Sequence, residues 1–142
     1  MARKMSHDEY IQFLQEGTRT AKIATTHKDG RPHVVPVWFV LDGDTIVFMT
    51  GADTVKGKNL QRDPRVTICV DDEAPPFSFV MVEGTATTAP NPPEMLEWST
   101  RIARRYMGDE QAEAFGKRNA LDGEMLVRLT PTKVIALAAL SD

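Results

Sequence analysis

In Ile23-Ala24-Thr25-Thr26-His27-Lys28-Asp29-Gly30-Arg31-Pro32-His33-Val34-Val35, two β-type runs flank an Asp-Gly turn, a strong short-range signature of a hairpin. The first run covers residues 18–26 and the second 33–41. Asp42-Gly43-Asp44 makes another tight turn before a third run, 45–50, so the pattern predicts a three-stranded antiparallel meander. Farther along, residues 65–70 are rich in Val, Ile and Thr, and residues 77–88 are long enough to form a strand bent at Gly84. Residues 125–130 and 133–140, on either side of Thr130-Pro131-Thr132, predict two closing strands joined by a turn.

Helical signals fall between these strands. Ser6 and Glu9 form a capping box ahead of Tyr10, Ile11, Phe13 and Leu14. Residues 51–62 have helical character and stop at Asp63-Pro64. Asn91-Pro92 predicts an N-cap and first turn, with Met95, Trp98, Ile102 and Tyr106 on one face of a helix that ends at Gly108; a shorter helix covers about 109–118. About seven short strands with peripheral helices predict one mainly β domain over residues 1–142, a closed or nearly closed antiparallel barrel.

The 142 residues suit a single domain. A net charge of −3 gives no general attraction for nucleic acid. The single cysteine, Cys69, cannot form an internal disulfide, and His7, His27 and His33 have no metal-site spacing. With no apolar stretch for export or for spanning a membrane, these features lead to the expectation of a cytoplasmic protein without metal. Cys69 lies in an apolar strand without a basic neighbour and reads as an inert thiol. No GxGxxG, Walker A or Ser/His/Asp pattern is present.

Two stretches invite a ligand. In Thr50-Gly51-Ala52-Asp53-Thr54-Val55-Lys56-Gly57-Lys58-Asn59-Leu60, a strand passes into a helix with two lysines near its start, where the helix dipole disfavours cations unless an anion is bound. With Asp53 as N-cap, Lys56 falls in the first turn; the same charges also fit a solvated helix start compensated by Asp53. Gly57 inside the helix suggests close packing against the backbone. In Val34-Val35-Pro36-Val37-Trp38-Phe39, proline interrupts a strand and marks an edge, bulge or opening, where either a ligand ring or simple core packing of Trp38 and Phe39 fits. Arg101, Arg104 and Arg105 read as a solvated helix face or as a contact to an anionic ligand tail.

Taken together, these elements resemble the pyridoxamine-phosphate-oxidase-like split-barrel superfamily, and especially its small deazaflavin-dependent reductases that use coenzyme F420. The likeness is carried by Ile23-Ala24-Thr25 with Asp29-Gly30-Arg31-Pro32, by Val47-Phe48-Met49-Thr50, by Lys56-Gly57-Lys58-Asn59-Leu60 with Asp63-Pro64-Arg65-Val66, and by Val82-Glu83-Gly84-Thr85-Ala86. The resemblance implies a six- to seven-stranded split barrel and a homodimer with cofactor sites between subunits. Lys56 and Lys58 would take the phosphate, Val34, Val35, Pro36 and Val37 the tricyclic ring, and Thr50, Gly51 and Asn59 the approach to ring or phosphate. The activity implied is hydride transfer between F420 and an unsaturated organic acceptor. The alternatives are an FMN-dependent oxidase or reductase and a non-catalytic flavin-, F420- or haem-binding protein. His33-Val34-Val35-Pro36-Val37-Trp38 departs from the Arg-x-Val-Leu-Leu-Lys pattern of true pyridoxine phosphate oxidases, which disfavours that activity and FMN. No residue presents itself as a proton donor.

Overall fold

The computed structural model describes residues 1–142. Strands β2 (Ala21–Thr26), β3 (Pro32–Val37), β4 (Val40–Asp42), β5 (Thr45–Gly51), β6 (Arg65–Asp72), β7 (Ser78–Pro90) and β8 (Glu124–Ala138) form one sheet in the order β3-β2-β6-β7-β8-β5-β4, and a short β1 (Arg3–Lys4) adds to β8. Every pairing is antiparallel. The alternation of burial along β2 and β6 turns Ala21, Ile23, Val66, Ile68 and Val70 inward, where they meet Phe39, Phe48, Val80 and Leu129 in the main core. Helices α1 (His7–Gln15), α2 (Val55–Arg62), α3 (Met95–Met107) and α4 (Ala112–Asn119) lie around this sheet. None of them is long and apolar enough to cross a membrane.

The expected three-stranded meander does not form. The run 33–41 is cut at Trp38-Phe39, and its halves become β3 and β4, the two opposite ends of the sheet path. Backbone groups that leave a ladder need other partners, and α3 supplies them. The Phe39 N–H donates to Tyr106 Oη at 3.2 Å, while Arg105 donates to the Phe39 carbonyl at 2.8 Å. With Phe39 fully buried, the chain crosses from one edge of the sheet to the other and leaves the barrel split between β3 and β4.

The predicted closing pair is a single strand, β8. Thr130-Pro131-Thr132 is a bulge in place of a turn: Gly84 pairs with Pro131 and Glu83 with Lys133, leaving Thr132 as the extra residue. Its hydroxyl donates to the Glu83 carbonyl at 3.1 Å. A bulge tolerates proline because that ladder N–H is not needed. Gly84 is the bend as expected, since a Cβ there would run into the Thr130 carbonyl and stand 2.8 Å from Leu129 Cδ2.

Helix starts differ too. The α1 capping box forms with both arms, Ser6 to Glu9 and back. By contrast α3 begins at Met95 with Glu94 as N-cap, because Asn91 takes a left-handed conformation (φ 38°) and each residue before a proline is steered away from helix. Its expected face is present, with Met95, Trp98 and Ile102 buried, and Gly108 (φ 90°) ends it. The arginines of α3 divide. Arg101 pairs with Glu97 and Arg104 with Asp109 on the surface, whereas Arg105 is half-buried and donates to the carbonyls of Leu14, Gly17 and Phe39.

Candidate functional site

Thr54, not Asp53, caps α2: its hydroxyl oxygen accepts from the Gly57 N–H at 3.0 Å and its O–H donates to the Gly51 carbonyl at 2.8 Å. Thr50 is buried with its Oγ1 3.1 Å from Thr54 Oγ1, so the end of β5 and the start of α2 are tied together at one place. Gly57 is there because the helix backbone lies against this tie. A Cβ on it would overlap the Gly51 carbonyl oxygen and stand 3.0 Å from Thr54 Oγ1. Asn59 points the other way; it is buried, and its Nδ2 donates to Thr25 Oγ1 at 3.0 Å, pinning α2 to β2.

Successive residues on an α-helix are turned by about 100°, so Lys56 and Lys58 stand about 200° apart on α2. Lys58 is exposed. Lys56 is half-buried and lines a cavity of about 190 Å³. Pro36, Val37 and Trp38 at the end of β3 and Met49 of β5 form part of its wall, and Ser99 and Ile102 of α3, Asn119 of α4 and Glu124 of β8 complete it. Trp38 is fixed by a parallel stack on Tyr106, with centroids 4.9 Å apart. Along β3, Val34 and Pro36 are exposed on the outer side, whereas Val35 and Val37 turn toward the core. Only one face of the expected ring-binding strand is therefore open.

Glu124 is the residue that sequence reading missed. It stands opposite Gly51 in the β5–β8 register, and one carboxylate oxygen, Oε2, is buried without a hydrogen-bond partner. Burial pushes this carboxyl up, while the nearby Lys56 pulls it down; burial pushes Lys56 down, while Glu124 pulls it up. Lys56 nonetheless belongs to none of the chain's ion pairs. A desolvated ammonium and a desolvated carboxyl thus face one cavity with bonding capacity unspent. Its only signal in the sequence is an acidic residue at a strand start, which nothing distinguishes from a surface position.

A larger open cleft of about 590 Å³ lies elsewhere, with Lys22, Cys69, Asp71, Asp72, Glu73 and Phe77 on its wall. The one cation on its wall is engaged, since Lys22 bonds Asp71 at 2.9 Å. The acidic lining makes it a poor phosphate site. Burial raises the Cys69 thiol, in line with an inert cysteine. No group of three His, Cys, Asp or Glu side chains is placed to hold a metal ion.

Residues 6–138 match the family model for pyridoxamine 5'-phosphate oxidase. The chain belongs to that family. Among solved structures, a conserved hypothetical protein of Mycobacterium tuberculosis superposes with a TM-score of 0.82 at 26% identity, covering 96% of this chain and 87% of that one. An F420 reductase gives 0.69 at 23% identity, covering 87% and 94%. The haem storage protein HutZ of Vibrio cholerae gives 0.74 at 20% identity, covering 97% and 100%. One fold therefore carries proteins described by different ligands, and the ligand of this chain has to be argued from its site.

Proposed function

We propose that this chain is an F420-dependent oxidoreductase that moves hydride between the deazaflavin ring and an unsaturated organic acceptor. The observation that carries the reading is Lys56, a desolvated cation without an ion-pair partner on a cavity wall beside the open face of β3. Such a cation favours a phosphate, and the tie of Thr50, Gly51 and Thr54 holds the helix that bears it. The cavity volume sharpens the picture. Ligand pockets run to about 300–1,000 Å³, so about 190 Å³ takes the phosphate end of a dinucleotide-sized cofactor but not its tricycle. The ring then lies on the exposed Val34-Pro36 side of β3, an edge strand whose open side a second subunit of a homodimer would cover.

When bound, the deazaflavin supplies the hydride chemistry. The residues of this chain bind the phosphate through Lys56, set the position of α2 through Thr54 and Gly57, and keep water from the inner end of the site through Trp38 and Ile102. Asn59 contributes by fixing α2 on β2, and Lys58 from the solvent side of α2. Titration of the purified protein with F420 and with FMN, followed by fluorescence and anisotropy, tests the reading. Saturable F420 binding with turnover of reduced F420 by a panel of unsaturated acceptors supports it. An unchanged F420 signal at high protein concentration refutes it, and FMN binding in its place assigns the flavin-dependent alternative that family membership favours.

A further inference from the structure

Lys56 and Glu124 share one wall without bonding each other, and that arrangement has a consequence when Lys56 takes a phosphate. Of the elements around the carboxyl, α2 presents Lys56, whereas β3, β5, α3 and α4 present Pro36, Met49, Ser99 and Asn119, none of which titrates near neutrality. The charged residues nearest in sequence are Asp122, which is exposed, and Arg128, which is engaged with Asp42 at 2.8 Å. Lys56 is thus the one cationic neighbour that favours the ionised form of Glu124. A phosphate paired with Lys56 shares that attraction and adds a like charge, and both changes oppose an ionised carboxylate in a desolvated site. The buried Oε2, which has no partner in the chain, is free to carry a proton.

We propose that Glu124 is the second half of the anion site: its carboxyl takes up a proton as the phosphate binds and donates it in a hydrogen bond to a phosphate oxygen. This rests on the placement of the phosphate at Lys56. The site therefore binds an anion through one ammonium and one neutral carboxylic acid, and it prefers phosphate-bearing ligands at lower pH. Linkage fixes the sign: the bound state holds more protons than the free state, so affinity falls as pH rises through the range in which the free carboxyl ionises, by up to about tenfold per pH unit.

Calorimetric titration of F420, and separately of FMN, into wild type and Glu124→Gln in two buffers of different ionisation enthalpy measures the proton uptake directly. Glutamine keeps the shape and removes the titration, and comparing variants with the same ligand cancels the ligand's own protonation. The expected result is uptake in wild type that exceeds the glutamine variant by up to one proton per site, together with an affinity in Glu124→Gln that falls less with pH and matches or exceeds wild type at pH 8. A Lys56→Ala arm separates the two levels of the argument. If Lys56→Ala weakens binding while Glu124→Gln leaves proton uptake and pH profile unchanged, Glu124 is not part of the anion site. If Lys56→Ala leaves affinity unchanged, or neither cofactor binds, the phosphate placement fails and this inference falls with it.

Discussion

Gly57→Ala probes the link between packing and site most directly. Two effects oppose each other. Alanine inside a helix is favoured over glycine by about 1 kcal/mol. The added Cβ, however, would overlap the Gly51 carbonyl oxygen, a backbone atom that cannot turn aside, and would press to 3.0 Å on Thr54 Oγ1. Relief requires the first turn of α2 to lift from the end of β5 by on the order of an ångström, which strains or breaks the capping bond from the Gly57 N–H to Thr54 Oγ1. Loss of a cap costs about 1 kcal/mol, and overpacking of a tight site about 1–3 kcal/mol. The net expectation is destabilisation by roughly 2 kcal/mol, a fall in Tm of roughly 5–8 °C for a chain of this size. Because Lys56 rides on the displaced turn, cofactor affinity should fall as well. Thermal unfolding and F420 titration of the variant give both readouts. A Tm equal to or above wild type with unchanged affinity would refute the close approach of α2 to Gly51 and the reason given for the glycine.

Replacing Lys56 with alanine should weaken F420 binding roughly ten- to a hundredfold, the worth of one charge-assisted bond, whereas Lys58→Ala, on the exposed side of α2, should cost no more than about fivefold and lose its effect in high salt; the reverse order in fluorescence titrations would move the phosphate to the other face of the helix. Arg105→Leu removes the donor to the Leu14, Gly17 and Phe39 carbonyls and should destabilise by roughly 3 kcal/mol in urea unfolding, with Arg105→Lys recovering only part, since an ammonium cannot match the planar fork; a neutral result would show that the β3–β4 crossing does not depend on this residue. The Arg65 guanidinium, with its backbone N–H, holds the Asp63 carboxyl down at about 2. A depressed carboxyl stabilises the fold fully above its unfolded value near 3.8 and loses that contribution as pH falls toward 2, so the Tm difference between wild type and Asp63→Asn should be constant above pH 5 and shrink on acidification; a difference independent of pH would sink the assignment.

Much of the fold is legible because its signals are local. The Asp-Gly turn, the Ser6 capping box, the bend at Gly84 and the stop at Gly108 each depend on a few adjacent residues. The two errors in the strands share one cause, a decision made by a distant partner. Val37-Trp38-Phe39-Val40 is continuously apolar, and nothing in it announces a break; the break exists because Tyr106 and Arg105, more than sixty residues later, take over the Phe39 backbone. Likewise Thr130-Pro131-Thr132 has the composition of a turn, but the pairing of Pro131 with Gly84 converts it into a bulge within one strand.

The site follows the same division. Lys56 could be suspected from the sequence because the helix dipole makes a cation near an N-terminus locally odd, and Gly57 because glycine is locally unfavourable there. Val34 and Pro36 could be suspected because proline breaks a ladder, although only the structure shows that Val35 and Val37 turn inward. Glu124 had no local oddity. Its significance comes from the β5–β8 register, which sets it opposite Gly51 and on the same cavity wall as Lys56. The small residue at position 51 therefore has two roles. Its carbonyl anchors the cap of the helix that carries Lys56, and its backbone pairs with that of Glu124, whose carboxyl shares the cavity wall with Lys56. The same residue thus joins the elements that bear both charges of the cavity: the start of α2 through the Thr54 cap, and the start of β8 through the strand register.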